Sequence, residues 1–561
     1  MSRLEKTNYR IDVDKFDVKS PEIEILLKEI DKIRRRKLSD DQTINYVDFN
    51  GNLDKLLQPN NHLVIGRRGS GKTSLFIKAQ EIINNKKDVL VMLDMQVYRK
   101  DLKENILLSI LSKLCNSLME TLKNNHDWKP VNERKKLVKN YFLKHILYST
   151  NLYKYKWDSQ IIQIDILYFQ LELIKQELKE ISGWKGVQKF YLANTQNNKT
   201  TKQNLKKTSL KFGLKSNEFK QLTMSSTNTL SIENTIFFSK DIETKQECYY
   251  EISQEEVLKK MQFKIIDLIK EYRKTIKKSI YIFLDDFYQI TIENQPFILN
   301  YLHEIHKETP RGSYSFKVNL VPSRFRLNNP GEKILSHRDD FSAITVDRDI
   351  IDLEGNKDTL TQIICGISPE LKLNSTLINK LFNDNNIYDK LIIASGALPR
   401  MFLDVFEKSI RYSILENYTK IKNEILPHII KDLKQSKDEL VIEEADLSSE
   451  NINILTKEIE DDVVNELKTS VILYPKSNFE KDENILNNLF NLGYIHRIKE
   501  EERVNGLLYI PLLIDMIFYH GDKNFPKGFR NIKFWKDREL QTCKVWNFKN
   551  DTIIPIIQEK N

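Results

Sequence analysis

Residues 66–74 read GRRGSGKTS. Three of the chain's 16 glycines (Gly66, Gly69 and Gly71) fall in this stretch, beside a lysine and several hydroxyls. A backbone that turns its N–H groups inward around an anion cannot carry side chains in the way, so glycines gather where phosphate is held. The spacing Gly66-x-x-x-x-Gly71-Lys72-Thr73 is that of a phosphate-binding loop. Such a loop needs a buried strand before it and a helix after it, because the helix N-terminus presents unpaired N–H groups and a positive dipole end to the anion. Both are present. "NHLVIG" is a short apolar run ending in glycine, and "KTSLFIKAQEII" has helical periodicity. The motif therefore commits the chain to an α/β fold built around a nucleotide.

The expected site follows from residue chemistry. Gly66, Arg67, Arg68, Gly69, Ser70, Gly71, Lys72, Thr73 and Ser74 form the cradle for ATP, with Lys72 reaching the β- and γ-phosphates and Thr73 giving its hydroxyl to Mg2+. "SIYIFLDDF" is a strongly apolar strand closing on paired acids. Alone it reads equally as a core strand before an acidic turn. Paired with the glycine loop, Asp285 is a Mg2+ ligand and Asp286 the residue that orients or deprotonates water. Aspartate is shorter than glutamate, so slow hydrolysis is expected. In "FKVNLVPS", Asn319 and Ser323 are both placed to sense the γ-phosphate, and Ser323 is preferred for its position at the strand's end. In "ASGALPRMFLDVF", Pro399 opens a helix with Arg400 in its first turn. An arginine there opposes the helix dipole, which phosphate contact would explain. Arg324, Arg326 and Arg338 are candidates for an arginine finger, and each reads as well as an exposed arginine.

The remaining sequence sets the surroundings. At 561 residues the chain is long enough for several domains. No apolar run is long enough to span a bilayer, and the charged N-terminus lacks the core of a secretory signal. Four scattered cysteines have neither zinc-ligand nor disulfide-framework spacing, so a cytoplasmic protein is expected. A net charge of +9 permits nucleic-acid contact without demanding it. "DVLVMLDM" and "FSAITVDR" are further core strands. Between about 100 and 250 lies a large, mainly helical insertion whose polar stretch 194–247 is rich in lysine. That stretch is either a variable surface insertion or a nucleic-acid-contacting loop. Ser253 and Glu256 form a capping-box pattern. From 352 to about 475 the pattern is helical. "NILNNLFNLG", "YIHRI", a polar turn with Asn505-Gly506 and "LLYIPLLI" then give helix, strand, turn, strand, the winged-helix plan. Its three glutamates, Glu500 to Glu502, would repel phosphate, while the basic aromatic tail after it would attract phosphate. DNA and protein contact both stay open.

"GRRGSGKTS", "IYIFLDDFYQI", "ASGALPR" and the C-terminal hairpin, in that order, resemble the AAA+ ATPases of the origin-recognition initiator type. The likeness is to bacterial members found among mobile or defence genes, with a double aspartate like that of the STAND signalling ATPases. The resemblance implies a helical lead-in over 1–40, a P-loop NTPase core over 41–352 carrying the insertion, a helical lid over 353–450 and a winged-helix domain with its tail over 451–561. It further implies a switch in which ATP binding sets the lid and governs oligomerisation, DNA contact or a protein partner, with anti-phage defence as one setting. The competing expectation is a STAND-type sensor of a protein ligand that does not bind DNA. A small-molecule kinase is a third, for which no acceptor-binding motif is visible.

Overall fold

A computed structural model describes residues 16–34, 46–48, 50–125, 159–184, 188–191, 249–348, 350–444, 449–519, 534, 537–549 and 552. The chain divides into two units, residues 174–264 and the remainder. In chain order the elements are α1 (Pro21–Arg34), α2 (Asn52–Leu56), β1 (His62–Ile65), α3 (Lys72–Asn85), β2 (Val89–Asp94), α4 (Lys103–Asn125), α5 (Ser159–Ser182), β3 (Gln188–Tyr191), β4 (Tyr249–Ile252), α6 (Gln254–Ile276), β5 (Ile280–Asp285), α7 (Gln295–Glu308), β6 (Tyr314–Leu320) and β7 (Ser342–Thr345). There follow α8 (Leu353–Ile367), α9 (Ser375–Lys380), α10 (Asn385–Ala394), α11 (Pro399–Leu415), α12 (Leu426–Glu444), α13 (Ser449–Glu458), β8 (Val471–Pro475), α14 (Lys476–Asn491), β9 (Ile495–Arg497), β10 (Glu502–Val504), β11 (Leu507–Ile514), α15 (Asp537–Leu540) and β12 (Lys544–Val545).

The core is a five-stranded sheet in the order β2–β5–β6–β1–β7, every pair parallel. Parallel strands are covered on both faces, so they read as continuous apolar runs rather than alternating ones. Every residue of β5 and β6 is buried. Helix α3 lies against this sheet, where the Phe76 and Phe283 rings pack with centroids 4.5 Å apart. This is the α/β P-loop fold the glycine motif requires. Because β2 and β5 are hydrogen-bonded neighbours, with Asp94 opposite Asp285, the whole insertion leaves and re-enters the sheet between adjacent strands. A large insertion is thereby accommodated without disturbing the strand order.

One buried cation pins the opposite end of the sheet. Lys317, at the centre of β6, is fully buried. Its ammonium donates to Gln58 O at 2.7 Å, to Asn60 O and to His62 Nδ1 at 3.0 Å. All three of its donors are thereby used, tying the α2–β1 connection to the strand. Burial first, then the Lys317 charge, pushes the His62 imidazole down to about 3, so it stays neutral and offers Nδ1 as acceptor.

The helices after the sheet share one apolar core with α1 and the C-terminal strands. Arg34 at the end of α1 pairs with Asp404 and Glu407 on α11, each at 2.5 Å. The C-terminal strands form a second sheet, β10–β11–β8–β12, with β9 also paired to β11. Val504 and Leu507 face one another across Asn505 and Gly506, both at positive φ, the left-handed pair that a two-residue hairpin turn needs. Helix α14 stops two residues before Gly493, which sits at φ +73°. The helical reading up to about 475 fails over its last residues. Val471–Pro475 is a buried strand between β11 and β12. A five-residue apolar run carries no period that separates strand from helix; its sheet partners decide.

In the smaller unit, β3 and β4 form an antiparallel pair, and Gln254 donates to Ile181 O at 2.9 Å. The capping box forms as expected: Glu256 N donates to Ser253 Oγ and Ser253 N to the Glu256 carboxylate, both at 3.2 Å. The lysine-rich stretch 194–247 and most of the basic aromatic tail lie outside the described residues. Among the described residues, no helix is long and apolar enough to cross a membrane.

His62 yields a stability prediction. Its folded pKa is depressed below that of the unfolded chain, so the unfolded chain binds the extra proton and stability is lost as pH falls below about 6.5. His62→Asn keeps an acceptor for Lys317 and removes the proton. Urea unfolding between pH 6.5 and 4.5 should then show a loss shallower by about 1.4 kcal/mol per pH unit than in the natural protein. Identical slopes would rule this out.

A candidate nucleotide site at the strand ends

The loop from Gly66 to Gly71 joins β1 to α3 at the carboxyl ends of the strands, where ligands of α/β sheets bind. Gly69 and Gly71 sit at φ +85° and +98°, and a Cβ on Gly66 would lie 2.6 Å from Ser70 Oγ. The glycines thus serve backbone shape and close approach. Asp347, just beyond β7, fixes the loop's entrance by accepting from Arg67 N at 3.0 and 2.9 Å through its two oxygens. Lys72 is buried, and its ammonium donates to Gly66 O at 2.7 Å and Arg67 O at 2.9 Å. Burial lowers its pKa, while Asp347, Asp286 and Asp285 pull it back up.

Facing this loop are the two acids. Asp285 is 3% exposed. Burial and the Asp286 charge push it up to about 6, against hydrogen bonds from Asn319, Thr73 and the Asp286 backbone. Asn319 Nδ2 donates to Asp285 Oδ1 at 2.5 Å. Asp286 sits at φ +49°, a left-handed conformation uncommon for a side-chain-bearing residue. Its pKa is also raised, by burial and Asp94, while Lys72, Arg400 and Arg68 oppose the shift. Arg68 and Arg400 are exposed side chains whose charges reach this carboxylate. Arg400 begins α11, as expected, and its backbone N donates to Gly69 O at 3.2 Å, so the helix start rests directly on the glycine loop.

These residues fit ATP and Mg2+ on three observations. Ser70 Oγ is buried with no hydrogen-bond partner, as is Asn319 Oδ1. Such orphaned groups are costly without a ligand. The Thr73 hydroxyl and Asp285 carboxylate, hard oxygen donors from either side of the insertion in sequence, lie close enough to interact. Two crowded carboxylates, with the Asp94 charge adding to theirs and Lys72, Arg68 and Arg400 opposing it, suit a divalent cation.

The sequence-predicted residues therefore fall into two groups. The structure brings Lys72, Thr73, Asp285, Asp286, Arg400 and the loop together. It joins Asn319 to Asp285, whereas Ser323 lies in the turn Pro322–Arg324 beyond the strand. Arg324 and Arg326 are half-buried and Arg338 is exposed. Asp347 was missed. Its signal was legible, since it comes just after a core strand, much as Asp94 and Asp285 close theirs. A second omission is a set of C-terminal residues reaching the loop: Arg67 Nη1 lies 3.3 Å from His496 Nδ1, and no local pattern announces that contact.

No protein-family model matches the chain, and no curated protein matches it by sequence. Among solved structures, Cdc6p from Pyrobaculum aerophilum is similar at 12% identity over 90% of this chain and 95% of that one, with a TM-score of 0.29. Two point variants of RuvB from Thermotoga maritima are similar at 9% and 10% identity over 46% of this chain and 82% of theirs, with TM-scores of 0.22. Scores this low carry no argument about the chain, and the fold rests on the strand order and loop geometry above.

Crowding of the two acids sets a prediction. Asp285→Asn relieves repulsion between buried carboxylates, so the variant alone should be more stable than the natural protein, by on the order of 1 kcal/mol. Adding ATP with Mg2+ should raise the melting temperature of the natural protein and leave that of the variant unchanged. A variant that is less stable on its own contradicts the crowded-acid description.

Proposed function

We propose that the chain is an ATP-binding and ATP-hydrolysing switch of the AAA+ type, coupling nucleotide state to DNA or to a protein partner. One observation carries this reading: Thr73 and Asp285, more than two hundred residues apart in sequence, meet beside the glycine loop. Gly66 to Ser74 would hold the phosphates, and Thr73 and Asp285 the metal. Bound Mg2+ would supply charge neutralisation at the β- and γ-phosphates. Lys72 would exchange its two carbonyl partners for phosphate oxygens. Asp286, with a raised pKa and exposed to the site, would orient water and accept its proton, and Asn319 would hold Asp285 in register. Arg400, first-turn residue of α11, would report phosphate to the helices behind it. Arg324, Arg326 and Arg338 are the candidates for serving a neighbouring copy.

The resemblance to origin-recognition initiators favours DNA and a place in bacterial defence, and the scattered cysteines favour a cytoplasmic setting. A specific observation favours the sensor alternative. The hairpin of the C-terminal sheet carries Glu500 to Glu502, with Glu501 paired to Lys476 at 2.7 Å. An acidic hairpin suits a protein better than phosphate.

Lys72→Ala should weaken ATP binding at least about tenfold, because it removes the only fully buried cation of the loop. Unchanged affinity, measured by calorimetry, ends the nucleotide reading. If DNA is the partner, DNA should stimulate hydrolysis, and stimulation should collapse between about 50 and 200 mM salt. A rate indifferent to DNA at low salt favours the protein-sensing alternative.

A further inference from the structure

Arg67 does more than line the loop. Besides Nη1 on His496, its Nη2 donates to Gly396 O at 3.2 Å, and its Nε lies 3.5 Å from Asp347 Oδ2. One side chain thus touches β9 of the C-terminal sheet, the turn before α11 and the segment after β7. The guanidinium has no acceptor, so His496 Nδ1 must receive its hydrogen bond. The other ring nitrogen, Nε2, then carries the proton and donates to Asp515 Oδ2 at 2.7 Å. The same oxygen pairs with Lys437 at 2.7 Å, and Lys437 also donates to Gly493 O at 2.5 Å. His496, Asp515 and Lys437 have side-chain exposures of 4%, 1% and 5%. Burial lowers the His496 pKa, as do the Lys437 and Arg67 charges, against Asp515, and this keeps the ring in the neutral form the geometry requires.

Packing fixes the ring as firmly as bonding does. A Cβ at Gly396, itself at φ +59°, would lie 2.5 Å from His496 Cε1. The imidazole therefore rests on bare backbone four residues before Arg400.

We propose that His496 is a positioning residue for the phosphate loop, acting through Arg67, so that the C-terminal sheet must be seated for the loop to keep its nucleotide-binding shape. Lys437 holds Asp515, Asp515 fixes the tautomer of His496, and His496 holds the guanidinium that braces Arg67 against Asp347 and Gly396. Whatever displaces the C-terminal sheet, DNA or protein, frees Arg67 and loosens the loop. By linkage, nucleotide binding resists that displacement to the same extent. This rests on the switch reading and adds to it the wire between the two ends.

The test is a double-mutant cycle read by amide hydrogen exchange on the nucleotide-free full chain, and separately by ADP affinity. Arg67→Ala and His496→Ala should each speed exchange both in residues 66–71 and in residues 494–498, on the order of tenfold, as loss of a charged hydrogen bond implies. The double variant should go no further than the larger single one. Arg67→Lys, a point donor that cannot reach all three acceptors, should lie between. ADP should bind several-fold more weakly to both single variants. If Arg67→Ala leaves exchange at 494–498 unchanged, or His496→Ala loosens only its own strand, the proposal is overturned. Arg67→Ala removes no core packing, so it remains informative should His496→Ala fail to fold. Exchange needs no nucleotide. If ADP binds neither natural protein nor variant while exchange is still coupled, the switch reading fails and the wire stands.

Discussion

Two carboxylates side by side in a low-dielectric strand end are the constraint around which the rest is arranged. Asp285 and Asp286 close a strand buried along its whole length. Asp285 is buried and Asp286 half-buried, and burial raises both pKa values. The surrounding groups answer that charge: Lys72 from the glycine loop, Arg68 beside it and Arg400 from α11 all act on Asp286. Thr73 and Asn319 add hydrogen bonds to Asp285. The site so assembled sets two acids on one side and the lysine and arginines on the other.

The same loop also meets distant parts of the chain. Its backbone touches α11 through Gly69 O, and its first arginine touches the C-terminal sheet through His496. A phosphate-binding loop has few ways to report its state, because its N–H groups are committed to the ligand. Its side chains and carbonyls are free to do so. Here they reach Arg400 and His496, residues that follow one another neither in sequence nor in any motif. Buried ion pairs of the kind formed by Lys437 and Asp515 add little net stability but tolerate few alternative geometries. That intolerance is what a link between distant elements needs.

The glycine loop, Asp285, Asp286 and Arg400 were legible because each is a local pattern with a local cause. Glycine must sit where backbone approaches an anion, and a strand buried on both faces reads as an unbroken apolar run. Val471–Pro475 was misread because a run of that length has no period. Asn319 and Ser323 could not be separated from sequence, since both are polar residues in or just past one apolar run, and only the packing of β5 beside β6 brings Asn319 to Asp285.

By itself, the sequence determined the class of fold, the glycine loop between its first strand and helix, and the acids that face it. The tertiary structure decided the strand order that brings β2 beside β5, the choice of Asn319 as the partner of Asp285, and the path from Arg67 to Lys437 through His496 and Asp515. The physical reason is reach. Backbone conformation and periodicity act over a few residues and are written along the chain. Hydrogen bonds between residues 67, 347, 396 and 496 depend on how separate elements pack, and nothing in their own neighbourhoods records that outcome.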